Sequence, residues 1–71
     1  MSIIGSSIRS KATDISGVIT GIDKKKLLIS FQYGGIISVP MNKYEDMLYV
    51  SEETKEEIRQ YLEDLKNQNK K

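Results

Sequence analysis

The residues that most constrain this fold are its chain breakers, which all lie in the first half of the sequence or just beyond it. Five glycines and one proline separate short apolar runs, at positions 5, 17, 21, 34, 35 and 40. No glycine or proline follows Pro40. Breakers at this spacing are typical of short antiparallel strands, because glycine adopts turn conformations and proline ends a strand. The sequence therefore predicts a β region followed by an α region.

The length of the chain limits the architectures open to that order of elements. With 71 residues there is room for one domain. Five short strands in so short a segment favour a small barrel, since a barrel buries one face of every strand. We expect a mainly β fold, a small five-stranded antiparallel barrel over residues 5–50. A C-terminal amphipathic helix over residues 51–67 closes it, and residues 68–71 form a frayed tail.

The first two strands differ in how clearly they alternate. The first, over residues 6–11, has Ile8 as its single apolar residue, so we expect it at an edge of the sheet. The second, over residues 17–23, alternates with period two. Its two predicted faces are Val18, Thr20 and Ile22 on one side and Ile19 on the other.

The central hairpin is the strongest β signal. Strands over residues 27–32 and 36–41 flank Gly34 and Gly35, which supply the positive backbone angles of a tight turn. A turn over residues 44–46 then leads to a closing strand over residues 47–50. The predicted inner faces of the hairpin are Leu27, Ile29 and Phe31 on one strand and Ile37, Val39 and Met41 on the other.

The C-terminal helix has both a start signal and an apolar stripe. Ser51 is a suitable N-cap, and Glu52 and Glu53 place negative charge at the positive end of the helix dipole. The stripe follows the spacing i, i+3, i+4 and i+7 and should dock on the barrel. Its members are Ile58, Tyr61, Leu62 and Leu65.

Four apolar side chains fall outside all of these faces. We expect some of them under the helix and the others in an exposed apolar patch, which usually marks an interaction surface. They are Ile4, Leu28, Ile36 and Val50.

Composition argues against most enzyme classes. The chain has no cysteine and no histidine, so thiolate nucleophiles, cysteine zinc sites, the commonest general base and the commonest transition-metal ligand are missing. We expect a non-enzymatic protein without a cofactor or a bound metal. The sequence shows neither a signal peptide nor a run of 18–20 apolar residues, so we expect a cytoplasmic protein that has no membrane partner.

Two segments resemble known small-barrel families. The stretch from Gly17 to Asp23, followed by Leu27, Leu28 and Ile29, is similar to Sm-like RNA-binding proteins, in which a bent glycine-containing strand leads to an aspartate turn and an apolar strand. The segment Gly5-Ser6-Ser7-Ile8 resembles the start of Tudor-like domains. Together with the Src-homology-3-like domains, these families imply docking on proteins or nucleic acids.

The candidate binding residues are basic or aromatic and fall in predicted turns. The lysines at a hairpin tip can contact phosphates, and the tyrosine beside the glycine pair can stack on a base. The alternatives are a solvated turn for the lysines, packing across the hairpin for Tyr33, and a core position for Tyr44. The candidates are Lys24, Lys25, Lys26, Tyr33, Lys43 and Tyr44.

These observations support two hypotheses of function. The first is an interaction module or accessory protein, of the kind that mobile elements encode, which binds a protein partner or a second copy of itself. A net charge of only +1 favours this hypothesis over nucleic-acid binding. The second is an Sm-like or Tudor-like nucleic-acid binder that uses the candidate lysines and Tyr33.

Overall fold

A computed structural model describes residues 3–68 of the chain. Its elements follow the predicted order, with strands first and the long helix last. The strands are β1 (Ser7–Ser10), β2 (Ser16–Asp23), β3 (Lys26–Phe31), β4 (Ile36–Pro40) and β5 (Leu48–Val50); the helices are α1 (Tyr44–Met47), between β4 and β5, and α2 (Glu52–Gln68).

All five strands belong to one antiparallel sheet that curls into a half-barrel. The strand order is β4-β3-β2-β1-β5, so β4 and β5 are the two edges. The prediction that the first strand lies at an edge is therefore wrong, because β1 pairs with β2 on one side and β5 on the other. Its low apolar content reflects one exposed face rather than an edge position, with Ile8 alone facing the core.

A bulge in β2 changes which of its side chains share a face. The register with β3 shifts between Ile19 and Gly21, so Thr20 is an extra residue in the ladder. Ile19 is fully buried, and Ile22 packs against the same core although simple alternation had placed it on the opposite face. The assignment of Ile22 to the face of Val18 is corrected for this reason, since an extra residue reverses the alternation beyond it.

The core lies between the curled sheet and α2, and the central hairpin supplies four of the ten buried apolar side chains among the described residues. The predicted inner face of β3 is confirmed, because Leu27 and Ile29 are fully buried and Phe31 packs against the core. The buried apolar side chains of residues 3–68 are Ile3, Ile8, Ile19, Leu27, Ile29, Val39, Met41, Tyr44, Leu48 and Ile58.

One glycine of β2 is required by packing rather than by a turn. Gly17 lies opposite Phe31, and a Cβ at Gly17 would come within 2.9 Å of both the Phe31 ring and the Ser30 carbonyl oxygen. The aromatic ring thus occupies the space above the glycine. In contrast, Gly34 and Gly35 have φ angles of 98° and 81°, as the predicted hairpin turn requires.

The segment before β5 is helical where a turn was predicted. Residues 44–47 form the single turn α1, so Met47 belongs to that helix and the closing strand begins at Leu48. Helix α2 begins after Ser51, whose Oγ accepts a hydrogen bond from the Thr54 backbone N–H at 3.3 Å. The predicted N-cap is confirmed by this contact. Of the predicted frayed tail, Gln68 is helical, and residues 69–71 lie outside the described residues.

The apolar residues that sequence pattern left unassigned have different positions. Val50 packs against the core and Leu28 is half-buried, whereas Ile4 and Ile36 are exposed. Ile37, predicted to face inward, is also partly exposed because it lies on the edge strand β4. Over residues 3–68, no helix is long and apolar enough to cross a membrane.

Candidate functional site

The turn between β2 and β3 carries three consecutive lysines at one end of the half-barrel. Lys24 and Lys25 form the turn. Lys26 lies opposite Asp23 in the backbone ladder where the two strands meet. Lys24 has a φ angle of 60°, a left-handed conformation that costs a side-chain-bearing residue roughly 1 kcal/mol relative to glycine. We call Lys24, Lys25 and Lys26 the tip lysines.

Helix α2 passes beside this turn and forms a groove with it. The Tyr61 hydroxyl donates a hydrogen bond to the Lys24 carbonyl oxygen at 3.3 Å. The open space between the turn, the end of β4 and the helix has a volume of about 720 Å³. We call it the basic groove, and its lining residues are Asp23, Lys24, Lys25, Lys26, Pro40, Met41, Asn42 and Leu62.

Apolar and charged side chains are separated within the basic groove. Pro40, Met41 and Leu62 give it an aliphatic portion, while the tip lysines supply three positive charges against the single carboxylate of Asp23. Pro40 and Met41 are held there by pairing, since Pro40 lies opposite Lys26 and the Met41 N–H donates to the Lys25 carbonyl at 2.8 Å. The groove therefore suits a ligand that is both acidic and apolar.

Lys43 lies at the same end of the molecule as the tip lysines. Its backbone N–H donates to the Pro40 carbonyl at 3.1 Å, which places it one turn beyond the end of β4. Lys43 is exposed, as are all three tip lysines. The structure thus places four of the predicted site residues at one end of the molecule, where the tip lysines line the basic groove and Lys43 lies outside its lining.

The ammonium groups of these four lysines have no hydrogen-bond or ion-pair partner within residues 3–68. Several other basic side chains are engaged. Lys55 pairs with Glu45 and Glu52. The Arg59 guanidinium donates to Glu56 and holds the pKa of that carboxyl below its usual range. Four of the described cations without a partner therefore lie at this end of the molecule, and Lys66, in the last turn of α2, is a further one.

Tyr33 lies at the opposite end of the central hairpin. It follows β3, whereas the tip lysines precede and begin that strand, so the six residues of β3 separate the two features. At about 3.3 Å per residue this separation is close to 20 Å. Tyr33 is 70% exposed and available for contact, but it does not share a site with the lysines.

Tyr44 is a core residue in the structure. It is 7% exposed, and burial, followed by the nearby Glu45 and Glu52 carboxylates, raises the pKa of its hydroxyl. The ring packs in the core because α1 turns it inward at the end of the half-barrel. The hypothesis of an exposed binding ring at Tyr44 is replaced by this core position.

A second basic cluster, on the β1 and β5 side, was not predicted from the sequence. Arg9 and Lys11 both lie over the Tyr49 ring, at 5.4 and 5.3 Å from its centre. Arg9 also pairs with Asp14 at 3.2 Å, and the Lys11 ammonium donates to the Glu45 carbonyl oxygen. The spacing of Arg9 and Lys11 indicates a shared strand face, but only the pairing of β1 with β5 brings Tyr49 between them. These cations are already partnered.

The acidic side chains do not form a cation site. Within residues 3–68, no three Asp, Glu, His or Cys side chains gather closely enough to hold a metal ion. Asp14 lies in the turn between β1 and β2, with a φ angle of 64°, and its carboxylate forms an ion pair with Arg9. Asp23 ends β2 beside the tip lysines.

Comparisons with known proteins add no assignment to these sites. Family models, curated proteins and solved structures were all searched, and the chain matches none of them. The basic groove therefore stands on its own geometry.

Proposed function

We propose that this chain is a non-enzymatic interaction module that docks on a protein partner through the basic groove. The expected ligand is an acidic segment of that partner with one apolar side chain among its carboxylates. The observation that carries the proposal is the unpartnered charge of the tip lysines and Lys43 beside an aliphatic groove. Carboxylates would pair with the ammonium groups while the apolar side chain contacts Pro40, Met41 and Leu62.

Three features favour a protein segment over a nucleic acid. The apolar lining of the groove is aliphatic, whereas single-stranded nucleic acids are held largely by stacking on aromatic rings. The exposed Tyr33 lies at the far end of the hairpin. Helix α2, which forms one wall, carries six carboxylates that would repel a long polyanion passing along it.

The nucleic-acid hypothesis remains the alternative, because the same four lysines could contact phosphates. In that case the module would be an Sm-like or Tudor-like binder. The five-stranded half-barrel supports a fold of the Src-homology-3-like or Sm-like type, and we include that fold family in the proposal. We also propose a cytoplasmic setting, since small secreted domains usually depend on disulfides and this chain has no cysteine.

A peptide titration tests the proposal directly. The probe is a short fluorescent peptide of glutamates with one central leucine, and its anisotropy is measured against protein concentration at several salt concentrations. We expect saturable binding that weakens with salt. A peptide with alanine in place of the leucine should bind more weakly, because it loses the aliphatic contacts.

Matched charge variants locate the binding site. Lys25→Gln combined with Lys26→Gln should weaken peptide binding roughly three- to tenfold, because it removes two exposed ion pairs. Lys11→Gln is the control, since Lys11 is engaged at Tyr49 and Glu45. Equal loss of binding in both variants would contradict the basic groove as the site. Tighter binding of a labelled single-stranded oligonucleotide, with a steep salt slope, would favour the alternative.

A further inference from the structure

The edge strand β4 presents unpaired backbone groups to solvent. It pairs with β3 on one side, and on its other side the described residues contain no strand partner. Exposed strand edges of this kind can accept a further strand, because their N–H and C=O groups are spaced to pair with one. The question is which strand the edge of β4 accepts.

The register with β3 determines which groups of β4 are free. The Met41 N–H donates to Lys25, and the Gly35 carbonyl accepts from Phe31, so the odd-numbered residues 35–41 face β3. In an antiparallel ladder the residues between them point the other way. Ile36 and Ser38 therefore direct both their N–H and C=O groups outward. Pro40 has no N–H, and its carbonyl already accepts from the Lys43 N–H.

The side chains along this edge are uncharged, and all of them except Ser38 are apolar. Ile36 is 66% exposed and Ile37 is 39% exposed. They lie on opposite faces of the strand, since neighbouring residues alternate. In a chain in which 30% of residues are charged, the segment from Lys26 to Lys43 carries no charge at all between those two lysines. The edge therefore lacks the lysines that commonly prevent strand edges from associating.

We propose that the edge of β4 pairs with the same edge of a second copy of this chain, antiparallel and about a two-fold axis at Ile37. The uncharged segment brings no like-charge repulsion to a symmetric pair and offers no ion pair to a charged partner. In this register Ile36 lies opposite Ser38 of the second copy, and each exchanges both backbone hydrogen bonds. This interface is distinct from the basic groove, so its test does not depend on the proposed function.

A register centred on Ser38 is less favourable. It would place Ile36 opposite Pro40 of the second copy, and the missing proline N–H would leave the Ile36 carbonyl unpaired. Centring on Ile37 leaves no outward group of Ile36 or Ser38 unpaired. It also brings the two Ile37 side chains together as a directly opposed cross-strand pair, which buries apolar surface that is exposed in the single chain.

Single cysteines test this register, since the chain has none of its own. In the proposed dimer, the Cα atoms of Ile37 and its symmetry mate form a non-hydrogen-bonded pair at about 4.5 Å, within the range that a disulfide spans. Under mild oxidation, Ile37→Cys should form a covalent dimer at least tenfold faster than Met47→Cys. Met47 is the matched control because it is 44% exposed and lies beside β5. Equal rates would overturn the proposal.

Solution mass provides an independent measurement. The unmodified chain should shift from dimer to monomer as it is diluted from roughly 1 mM to roughly 1 µM, as a small interface implies. Ile37→Lys should remain monomeric throughout, with an unchanged melting temperature, because it sets two like charges across the axis. A chain that is monomeric at every concentration, or a species larger than a dimer, would overturn the two-fold pairing.

Discussion

The two halves of α2 share one apolar stripe but have different surroundings. In the first half Thr54 and Ile58 are buried, and Ile58 is fully enclosed in the core. In the second half Tyr61 and Leu62 are only half-buried, and they lie against the hairpin tip and the basic groove. The periodicity is the same in both halves, so the difference comes from what the half-barrel places beneath each turn.

This difference assigns separate roles to the two halves. The first half is tied to the sheet by a chain of hydroxyls, in which Ser51 donates to Thr54 at 2.9 Å and Thr54 donates to Ser6 at 3.1 Å. The second half contacts the core through one exposed hydrogen bond and two partly buried side chains, Tyr61 and Leu62. We infer that the first half stabilises the fold, whereas the second half mainly shapes the binding groove.

The largest expected effect lies in the first half. Ile58→Ala should lower the free energy of unfolding by about 2–5 kcal/mol, because it removes a fully buried side chain and leaves a cavity. Chemical denaturation of both proteins measures the change. Ile58→Val should lose much less unfolding free energy, because it removes only one methyl group. A loss below about 1 kcal/mol of unfolding free energy for Ile58→Ala would contradict the buried position.

The corresponding change in the second half should separate stability from binding. Leu62→Ala should cost about 1–2 kcal/mol of unfolding free energy, since a half-buried side chain loses less apolar contact on truncation. The same variant should weaken binding of the glutamate and leucine peptide, because Leu62 lines the groove. Denaturation and peptide anisotropy measure the two effects. A stability loss equal to that of Ile58→Ala would remove the distinction between the halves.

Removing the N-cap of α2 should have a smaller effect on the free energy of unfolding. Ser51→Ala removes the acceptor for the Thr54 N–H and should cost about 1 kcal/mol of unfolding free energy. Ser51→Asn is the control, because asparagine is an equally good N-cap and should recover most of that stability. If both variants were equally destabilised, the hydrogen bond to Thr54 would not be the cause.

The smallest expected effect concerns the hydrogen bond between α2 and the hairpin tip. Tyr61→Phe keeps the ring and removes the donor to the Lys24 carbonyl, so it should cost about 0.5 kcal/mol at this exposed position. Thermal melting measures the stability loss, and peptide anisotropy provides a second measurement on the same variant. A loss above about 2 kcal/mol would show that the second half contributes as much to stability as the first.

Much of the fold follows from local pattern. The central hairpin, the inner face of β3 and the start of α2 were predictable because each depends on residues close together in sequence. The bulge in β2 was not, since a shift between Ile19 and Gly21 is visible only against the partner strand. The interior position of β1 depended likewise on β5, which lies some 40 residues further along the chain.

The candidate site was predictable in its residues but not in its grouping. The tip lysines and Lys43 are identifiable as exposed turn residues, yet only the pairing of β3 with β4 brings them to one end of the molecule. The same pairing separates them from Tyr33. Local sequence left a core and an exposed position for Tyr44 both open, and it did not predict that Leu62 lines a groove, because each depends on contacts between distant elements.

By itself, the sequence determined the order of strands and helix and the glycine turn of the central hairpin. It also determined the positive charge of the tip lysines at the other end of that hairpin. These are local properties, set by backbone preferences and by the periodicity of apolar residues. The tertiary structure alone decided which cations are partnered and which are free. Sheet order brings Arg9 and Lys11 to Tyr49 across paired strands, whereas the tip lysines form no ion pair among the described residues, although Asp23 lines the same groove.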